Sequence, residues 1–506
     1  MNKKVCSFPI LFALLTLLIG TCAVVFPASA QAAPTSTGSI TVSGTVARSY
    51  DAYQIFSANV VDGDSDAKTA TDLAWASDAV RDAALPVLHS AGMPKSQTTA
   101  QEASEWLNAD SHLTSALSAQ LARSLQSSDA ESVALNAGTT AELSCGYWLI
   151  VADDATISQD EAGTAPIMAL VGGSAVTVKP KAATPKVQKH VLEDSTAAWQ
   201  KAADATVADD LYWRLLATVP AGLTAYDAYT VRFVDTMSAG LDPSKVAASM
   251  RVYVAAGADG GFDAVSTGKD GRVGTEPAKG WTDITAQCAT KVAADGKTFT
   301  VRTGDLIAAL GGADAFTAGA RVVAVYNAPL NSACSHGIAK GNPNEAYLRY
   351  PRSPFADQSG DAGFTRTPSD DACAYTWDLA LTKRGSDGDK PLAGAVLSIA
   401  DDRGRTLAAD GTWDAEGKAT VTTGEDGRVT VSGVDSGKLE VRELKAPMGY
   451  TAFEGTRSVT VKAEGLDVDQ VAAAKPKLTI TAESPLRADS ADGSTGSLEA
   501  SLINTP

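Results

Sequence analysis

Inward-pointing polar side chains in alternating segments constrain this chain more than any other sequence feature. In YTWDLALTKRG, which ends at Gly385, four apolar side chains share one face with Lys383, because successive side chains of a β-strand point to opposite faces. The last segment, SLEASLIN, directs Asn504 to the apolar face in the same way, and KLEVREL does so for Glu443. The sequence therefore predicts a β-domain whose interior holds a lysine, a glutamate and an asparagine.

The same combination of side chains recurs earlier in the chain. Lys189 alternates with two valines in VQKHV, and Asp235 shares a face with the valine and phenylalanine of VRFVD. Asn344 shares a face with the alanine, leucine and second tyrosine of NEAYLRY. A second β-domain is therefore predicted to hold a lysine, an aspartate and an asparagine in its interior.

A buried lysine without compensation is costly, so it tends to lose its proton, and a neutral amine is a nucleophile. A buried carboxyl group with a raised pKa can move protons while the amine attacks the asparagine amide. The product would be a Lys–Asn isopeptide bond, with ammonia released. Two such bonds would close loops of 155 residues (344 − 189) and 121 residues (504 − 383). An ordinary buried polar pair, or a lysine whose amine reaches water, is the alternative for each group.

Composition limits the class of protein. The formal net charge of −17 over 506 residues predicts a surface that repels phosphates, so no nucleic-acid partner is expected. Residues 1–33 carry two early lysines, an apolar run and small residues before a cleavage region, which is typical of a signal peptide and of a secreted protein. The length allows about three domains. No metal-ligand, P-loop or dinucleotide motif is present, so neither a cofactor nor a bound metal is expected.

Turn signals and composition divide the rest of the chain into three parts. Residues 34–181 are predicted to form an N-terminal α+β domain, and residues 182–375 and 376–506 two domains of mainly β structure. In the first part, leucines recur every fourth residue and predict an amphipathic helix packed on a sheet. These leucines are Leu113, Leu117, Leu121 and Leu125.

Four cysteines follow the predicted signal peptide, and four cysteines allow three pairings. They are Cys145, Cys288, Cys334 and Cys373. A disulfide between Cys334 and Cys373 is favoured because both lie in one predicted domain.

A lysine-rich segment, VTVKPKAATPK, joins the first two domains. Val176 and Val178 share the inward face of a short strand, whereas Lys179 and Lys181 alternate outward. Pro180 cannot donate to a strand ladder and ends the pairing beside Lys181. An exposed amine is therefore expected at Lys181, with Lys179 as the alternative.

These residues resemble a known family, the sortase-assembled major pilins of Gram-positive actinobacteria, which form the shafts of fimbriae. LTKRGSDGDKPLAGAVLSI and LEVRELKAPMGY resemble the opening motif and E-box of CNA-B (SpaA-like) domains, and imply an isopeptide lysine at Lys383, a catalytic acid at Glu443 and an acceptor at Asn504. VQKHVLED, FVDTMSAGL and GNPNEAYLRYPRSP resemble the fimbrial isopeptide-forming module. The implied fold is a tandem of Ig-like β-sandwich domains after the α+β domain.

In that second module the resemblance implies Lys189 as the cross-linking lysine and Asp235 as the catalytic acid. Asn344 is the better acceptor, because the family's usual YSN reads YPR here, and Asn342 remains the alternative. Lys181 matches the pilin-motif lysine that a class C sortase joins to the next subunit.

The resemblance implies a shaft subunit of a cell-wall-linked fimbria that mediates adhesion and has no enzymatic activity on external substrates. Its expected partners are a class C sortase, further copies of the same pilin, tip or basal pilins, and host or bacterial surface receptors. A monomeric wall adhesin or a minor pilin that binds a host ligand is the alternative. The family's LPxTG sorting signal does not follow the last predicted strand, so either the sequence is truncated or this product is not polymerised as it stands.

Overall fold

The structure is a computed structural model that describes residues 36–44, 47–62, 68–109, 111–158, 161–180, 184–221, 223–269 and 271–506. The predicted signal peptide and Lys181 lie outside these residues. The chain forms two compact units. The first contains the residues up to 182 with the short segments Thr224–Asp227 and Arg352–Asp357, and the second contains the rest.

The first unit is an α+β structure. Its elements are β1 (Thr37–Val42), β2 (Ser49–Asp62), β3 (Lys68–Trp75), α1 (Asp78–Ser90), α2 (Ala100–Asn108), α3 (Ser115–Gln126), β4 (Val133–Asn136), β5 (Thr140–Ser144), β6 (Gly146–Ala152), β7 (Ile167–Val171) and β8 (Val176–Val178). One sheet has the order β3-β2-β6-β7, with β4 beside β2, and the other has the order β5-β1-β8. The buried faces of α1, α2 and α3 pack with β2 and β6 into one apolar core.

The predicted leucine-rich helix is α3, which begins one residue after its cap Thr114, whose hydroxyl accepts a hydrogen bond from the Leu117 amide at 3.1 Å. Leu117, Leu121 and Leu125 are buried as the four-residue spacing predicts, whereas Leu113 precedes the helix.

The first part of the second unit is a sandwich of two sheets, one with six strands and one with seven. Its elements are β9 (Val187–Glu193), β10 (Ala198–Gln200), β11 (Ala202–Asp204), β12 (Tyr212–Thr218), β13 (Arg232–Met237), α4 (Val246–Ser249), β14 (Arg251–Ala255), β15 (Thr282–Asp283), β16 (Ala289–Val292), β17 (Thr298–Arg302), α5 (Leu306–Ala309), β18 (Arg321–Asn327), β19 (Asn342–Pro351), β20 (Phe364–Arg366) and β21 (Asp370–Tyr375). The sheet orders are β10-β9-β12-β18-β14-β15 and β11-β21-β19-β13-β17-β16, with β20 beside β19.

The remaining strands form a second sandwich. They are β22 (Trp377–Gly385), β23 (Val396–Ala400), β24 (Thr406–Leu407), β25 (Trp413–Asp414), β26 (Val421–Thr422), β27 (Arg428–Val434), β28 (Gly437–Lys445), β29 (Thr456–Glu464), β30 (Lys477–Ala482), β31 (Leu486–Asp492) and β32 (Ser497–Asn504). The sheet orders are β27-β22-β32-β31 and β25-β24-β23-β28-β29-β30, with β26 beside β23. Their alternating inward side chains fill one apolar core, as expected for strands with one buried face.

The mainly β fold with an α+β first part is confirmed. Within the described residues, no helix combines the length and apolar character needed to cross a membrane.

A cluster of carboxyl groups lies where the two sandwiches of the second unit meet. Asp204, at the end of β11, accepts hydrogen bonds from the Trp377 indole at 2.6 Å and from the Ser436 amide at 2.9 Å. Glu193 accepts a hydrogen bond from the Asp204 amide at 3.3 Å. Burial, followed by the charge of Asp204, raises the pKa of Glu193 from its ordinary 4.5 to about 7 and raises the pKa of Asp435 well above its ordinary range.

This cluster predicts that the second unit loses stability as the pH rises. Between about pH 4.5 and 7 the folded chain keeps a proton on Glu193 that the unfolded chain releases, so the free energy of unfolding decreases toward pH 7 by up to about 1.4 kcal/mol per pH unit. Asp194 and Asp435 act in the same direction, and Arg403, whose guanidinium lies 3.6 Å from Asp194, opposes them.

Urea unfolding at pH 5 and pH 8 measures this dependence. Glu193→Gln should reduce the pH dependence of the free energy of unfolding by about the contribution of one titrating group. Glu276→Gln, at an exposed position, should leave that dependence unchanged. Equal pH slopes in Glu193→Gln and the unmodified protein would contradict the assignment.

Candidate cross-linking sites

The first site lies between the two sheets of the first sandwich. Lys189 comes from β9 in one sheet, and Asp235 and Asn344 come from β13 and β19, which are neighbours in the facing sheet. Alternation explains this placement, since burial in β19 follows every second residue from Asn342 to Tyr350. All three side chains are fully buried, each at 0 % exposure.

A tyrosine hydroxyl connects the three side chains. Tyr326, on β18, accepts hydrogen bonds from Lys189 Nζ at 2.8 Å and Asn344 Nδ2 at 2.9 Å, and donates one to Asp235 Oδ2 at 2.8 Å. Lys189 Nζ also contacts Asp235 Oδ2 directly. The Trp213 and Tyr326 rings lie 5.4 and 5.3 Å from the same amine. The amine, the acid and the amide are thus enclosed by aromatic surface and share one hydroxyl group.

Burial sets the protonation chemistry of this site. It lowers the pKa of Lys189 against the opposing charge of Asp235, and it raises the pKa of Asp235 against the charge of Lys189. Both shifts favour a neutral amine beside a neutral acid. Within the described residues, Asp235 Oδ1 and Asn344 Oδ1 have no hydrogen-bond partner, so the asparagine carbonyl is free to receive a proton during attack.

The second site has a different arrangement of strands. Lys383 on β22 and Asn504 on β32 belong to adjacent parallel strands, in which Gly385 is the register partner of Asn504. Glu443 reaches them from β28 of the facing sheet. Each of the three side chains is at least nine-tenths buried.

In this site the glutamate contacts both reaction partners. Lys383 Nζ lies 2.9 Å from Glu443 Oε1 and contacts Asn504 Oδ1, and Asn504 Nδ2 donates to the same Glu443 oxygen at 2.9 Å. The Phe453 amide donates to the other oxygen, Oε2, at 3.1 Å and so fixes the carboxyl group. Burial lowers the pKa of Lys383, which favours the nucleophilic neutral amine.

The structure thus brings together both sets of residues that the sequence singles out. Asn342, the alternative acceptor, is engaged elsewhere: its amide nitrogen donates to Ser335 O at 2.9 Å and to Ala374 O at 3.2 Å. Sequence reasoning missed Tyr326. Its tyrosine is visible in RVVAVYNAP, but β18 is buried at every position from Val322 to Asn327, so alternation gave no signal for it.

The lysine-rich segment is described only in part. Lys179 directly follows β8 and is exposed, as its parity predicts, and Val178 is buried. Lys181 lies outside the described residues, and its role stays a prediction.

The predicted disulfide is wrong for this structure. Cys145, Cys288, Cys334 and Cys373, the cysteines of the described residues, are all free thiols. The Cys334 sulfur faces the imidazole of His336 at 3.5 Å, whereas the Cys373 thiol is buried on β21 and donates to the Ala374 carbonyl at 3.7 Å. The two thiols therefore have separate partners although they lie in the same sandwich.

Fold and sites together define a class of modular β-proteins with a lysine, a carboxyl group and an asparagine buried in each of two successive sandwiches. Residues 378–475 match the family model of the SpaA domain, described as a prealbumin-like fold domain. The chain is also 30% identical over 143 residues to the trypsin-resistant surface T6 protein of Streptococcus pyogenes serotype M6. That alignment covers 27% of this chain and 24% of the relative, so this chain spans about a quarter of the length of the T6 protein.

Several solved structures are also similar. The T6 backbone pilin of S. pyogenes serotype M6 is 17% identical with a TM-score of 0.49, over 94% of this chain and 99% of that one. The major pilin SpaA of Corynebacterium diphtheriae is 13% identical with a TM-score of 0.40, over 93% and 100%. The predicted resemblance to Gram-positive major pilins is confirmed, with the SpaA-domain match and the T6 relative as its basis.

Proposed function

We propose that this protein is the major, shaft-forming subunit of a covalently polymerised surface pilus, and that an intramolecular Lys–Asn isopeptide bond stabilises each of its two sandwiches. The observation that carries the proposal is that a lysine, a carboxyl group and an asparagine are buried together in each sandwich, linked through the Tyr326 hydroxyl in the first and in direct contact in the second. A single buried polar cluster is common in proteins. The same three residue types, buried in two successive domains, indicate that both clusters have the same function.

We infer the same reaction at both sites. The neutral lysine amine attacks the side-chain carbonyl carbon of the asparagine, and the carbonyl oxygen takes a proton from the adjacent acid. As the carbonyl re-forms, its oxygen returns that proton to the acid, the bond to the amide nitrogen breaks, and ammonia leaves with the proton that the amine has lost. Asp235 moves these protons for Lys189 and Asn344, and Glu443 does so for Lys383 and Asn504. Each site reacts once, so the protein turns over no external substrate.

Assembly of the pilus requires an accessible amine. Lys181 is the proposed acceptor for a class C sortase. It has the same strand parity as Lys179, whose side chain is exposed, and Pro180 ends strand pairing beside it. Further copies of this chain are the main partners, and tip or basal pilins complete the polymer. Its location is the cell surface, linked to the wall, where it would contact host or bacterial receptors.

Intact mass tests the cross-links. Under reducing conditions the purified protein should be lighter than its processed sequence by two molecules of ammonia, and each of Lys189→Ala and Lys383→Ala should restore one. Peptide mapping assigns each joined pair. A mass equal to that of the processed sequence would contradict the proposal, because the buried lysines would then not be cross-linked.

The acceptor in the first sandwich has a matched control. Asn344→Ala should restore one ammonia, whereas Asn342→Ala should not, because the Asn342 amide bonds Ser335 and Ala374 and not the buried lysine network. The reverse pattern would move the acceptor to Asn342 and contradict the geometry.

A further inference from the structure

A thiol, an imidazole and a carboxylate form a chain at the surface where the two sandwiches of the second unit meet. Cys334 Sγ lies 3.5 Å from His336 Nε2, and His336 Nδ1 lies 2.8 Å from Asp378 Oδ1. Cys334 and His336 belong to the loop between β18 and β19, whereas Asp378 is on β22. A nucleophile within reach of a base, which a third group orients, is the arrangement of nucleophilic catalysis.

The partners of each group fix the direction of proton transfer. Asp378 Oδ1 accepts hydrogen bonds from Ser432 Oγ at 2.6 Å and from the Gly433 amide at 3.0 Å, which hold the carboxylate in place. A carboxylate accepts the Nδ1 proton of His336, so Nε2 carries the lone pair that faces the Cys334 thiol. The loop itself is held, since the Gly337 amide donates to Thr376 O at 3.1 Å.

We propose that Cys334 is a modification site, at which His336 and Asp378 promote exchange of the thiol with a low-molecular-weight disulfide to give a mixed disulfide on the folded protein. His336 Nε2 takes the thiol proton as Sγ attacks one sulfur of the disulfide. The S–S bond of the reagent breaks, its second sulfur leaves as a thiolate, and the imidazolium returns the proton to it. One disulfide is consumed and one is formed, so no other oxidant is needed.

His336 is essential to this assignment because the thiol alone is a poor nucleophile. Burial and the Asp378 charge raise the pKa of Cys334, so few thiolates are present at neutral pH without a base. Access is adequate: Cys334 is half-buried, and the His336 and Asp378 side chains are 26% and 30% exposed.

The chain supplies its own control in Cys288. This residue is also half-buried, but its thiol donates to the Ile284 carbonyl at 3.3 Å, and burial raises its pKa to about 11. Cys288 therefore matches Cys334 in exposure and lacks the imidazole.

The test is the rate of reaction of the reduced full-length protein with 4,4′-dithiodipyridine, followed by thiopyridone release, with peptide mapping to assign each adduct. Cys334 should react first, and His336→Gln should slow it at least tenfold while the rate at Cys288 stays the same. In His336→Gln the remaining rate at Cys334 should rise about tenfold per pH unit with thiolate formation, a steeper dependence than in the unmodified protein.

Asp378→Asn tests the positioning residue. It should also slow the reaction of the Cys334 thiol and make the rate of that reaction depend more steeply on pH. Three results would each overturn the proposal: no adduct at Cys334, an equal rate at Cys288, or an unchanged rate in His336→Gln. An unchanged rate at Cys288 shows in every variant that the first sandwich, which contains both cysteines, keeps its fold.

Discussion

Glu443→Ala should leave the second sandwich without its cross-link and lower its free energy of unfolding by about 5 kcal/mol. The acid contacts both Lys383 Nζ and Asn504 Nδ2, so its loss removes the proton transfers on which the bond depends. By analogy with disulfides, a bond that closes a loop of 121 residues contributes about 5 kcal/mol through the entropy of the unfolded chain. Urea unfolding and the intact mass together measure the effect.

The matched control is Glu440→Ala, three residues earlier on β28. Its side chain is exposed and pairs with Lys438 at the surface, so it should change neither the mass nor the stability by a measurable amount. A Glu443→Ala protein that still loses both molecules of ammonia would show that another group transfers the protons.

Lys181→Ala should abolish the use of this chain as an amine acceptor by a class C sortase. With a fluorescent LPxTG peptide as acyl donor, the unmodified protein should acquire one label, and the variant should lose at least nine-tenths of it, because an acyl transfer needs the amine itself. In-gel fluorescence and peptide mapping measure the label and its position.

Two neighbouring lysines serve as controls for this experiment. Lys179→Ala and Lys186→Ala remove exposed amines from the same segment and should retain the label. Loss of the label in Lys179→Ala alone would move the acceptor to the other outward lysine. Retention in all three variants would contradict the shaft subunit and favour a monomeric adhesin.

Alternation predicted the sites because all six of the proposed cross-linking residues share a strand face with buried apolar side chains. In β28, for example, Leu439, Val441 and Glu443 are buried and the residues between them are exposed. The same reasoning could not find Tyr326, since a strand that is buried on both faces has no period of two. Nor could it find the position of the glutamate relative to the lysine, which depends on how the two sheets face each other.

The disulfide prediction is wrong, and the two thiols have different neighbours in the structure. Sequence proximity within one domain favoured Cys334 with Cys373, but pairing requires Cβ atoms that point at each other. Cys334 lies in a loop whose His336 side chain bonds Asp378 on β22, while the Cys373 sulfur lies beneath Gly341, where an added Cβ would come within 2.5 Å of it. Loop conformation of this kind has no periodic signature in sequence.

The positions of the two proposed bonds also determine how far each sandwich can lengthen when pulled along the chain. In the last sandwich, Asn504 ends β32, so strands β23 to β31 would all lie inside the loop that the proposed bond closes and would bear none of the pull. In the preceding one, β20 and β21 follow Asn344 and lie outside the loop. Peeling of the 31 residues from 345 to 375 would release about 100 Å of extended chain before the bond is reached. The last sandwich would therefore be nearly inextensible, and the preceding one could lengthen only by the extension of residues 345–375.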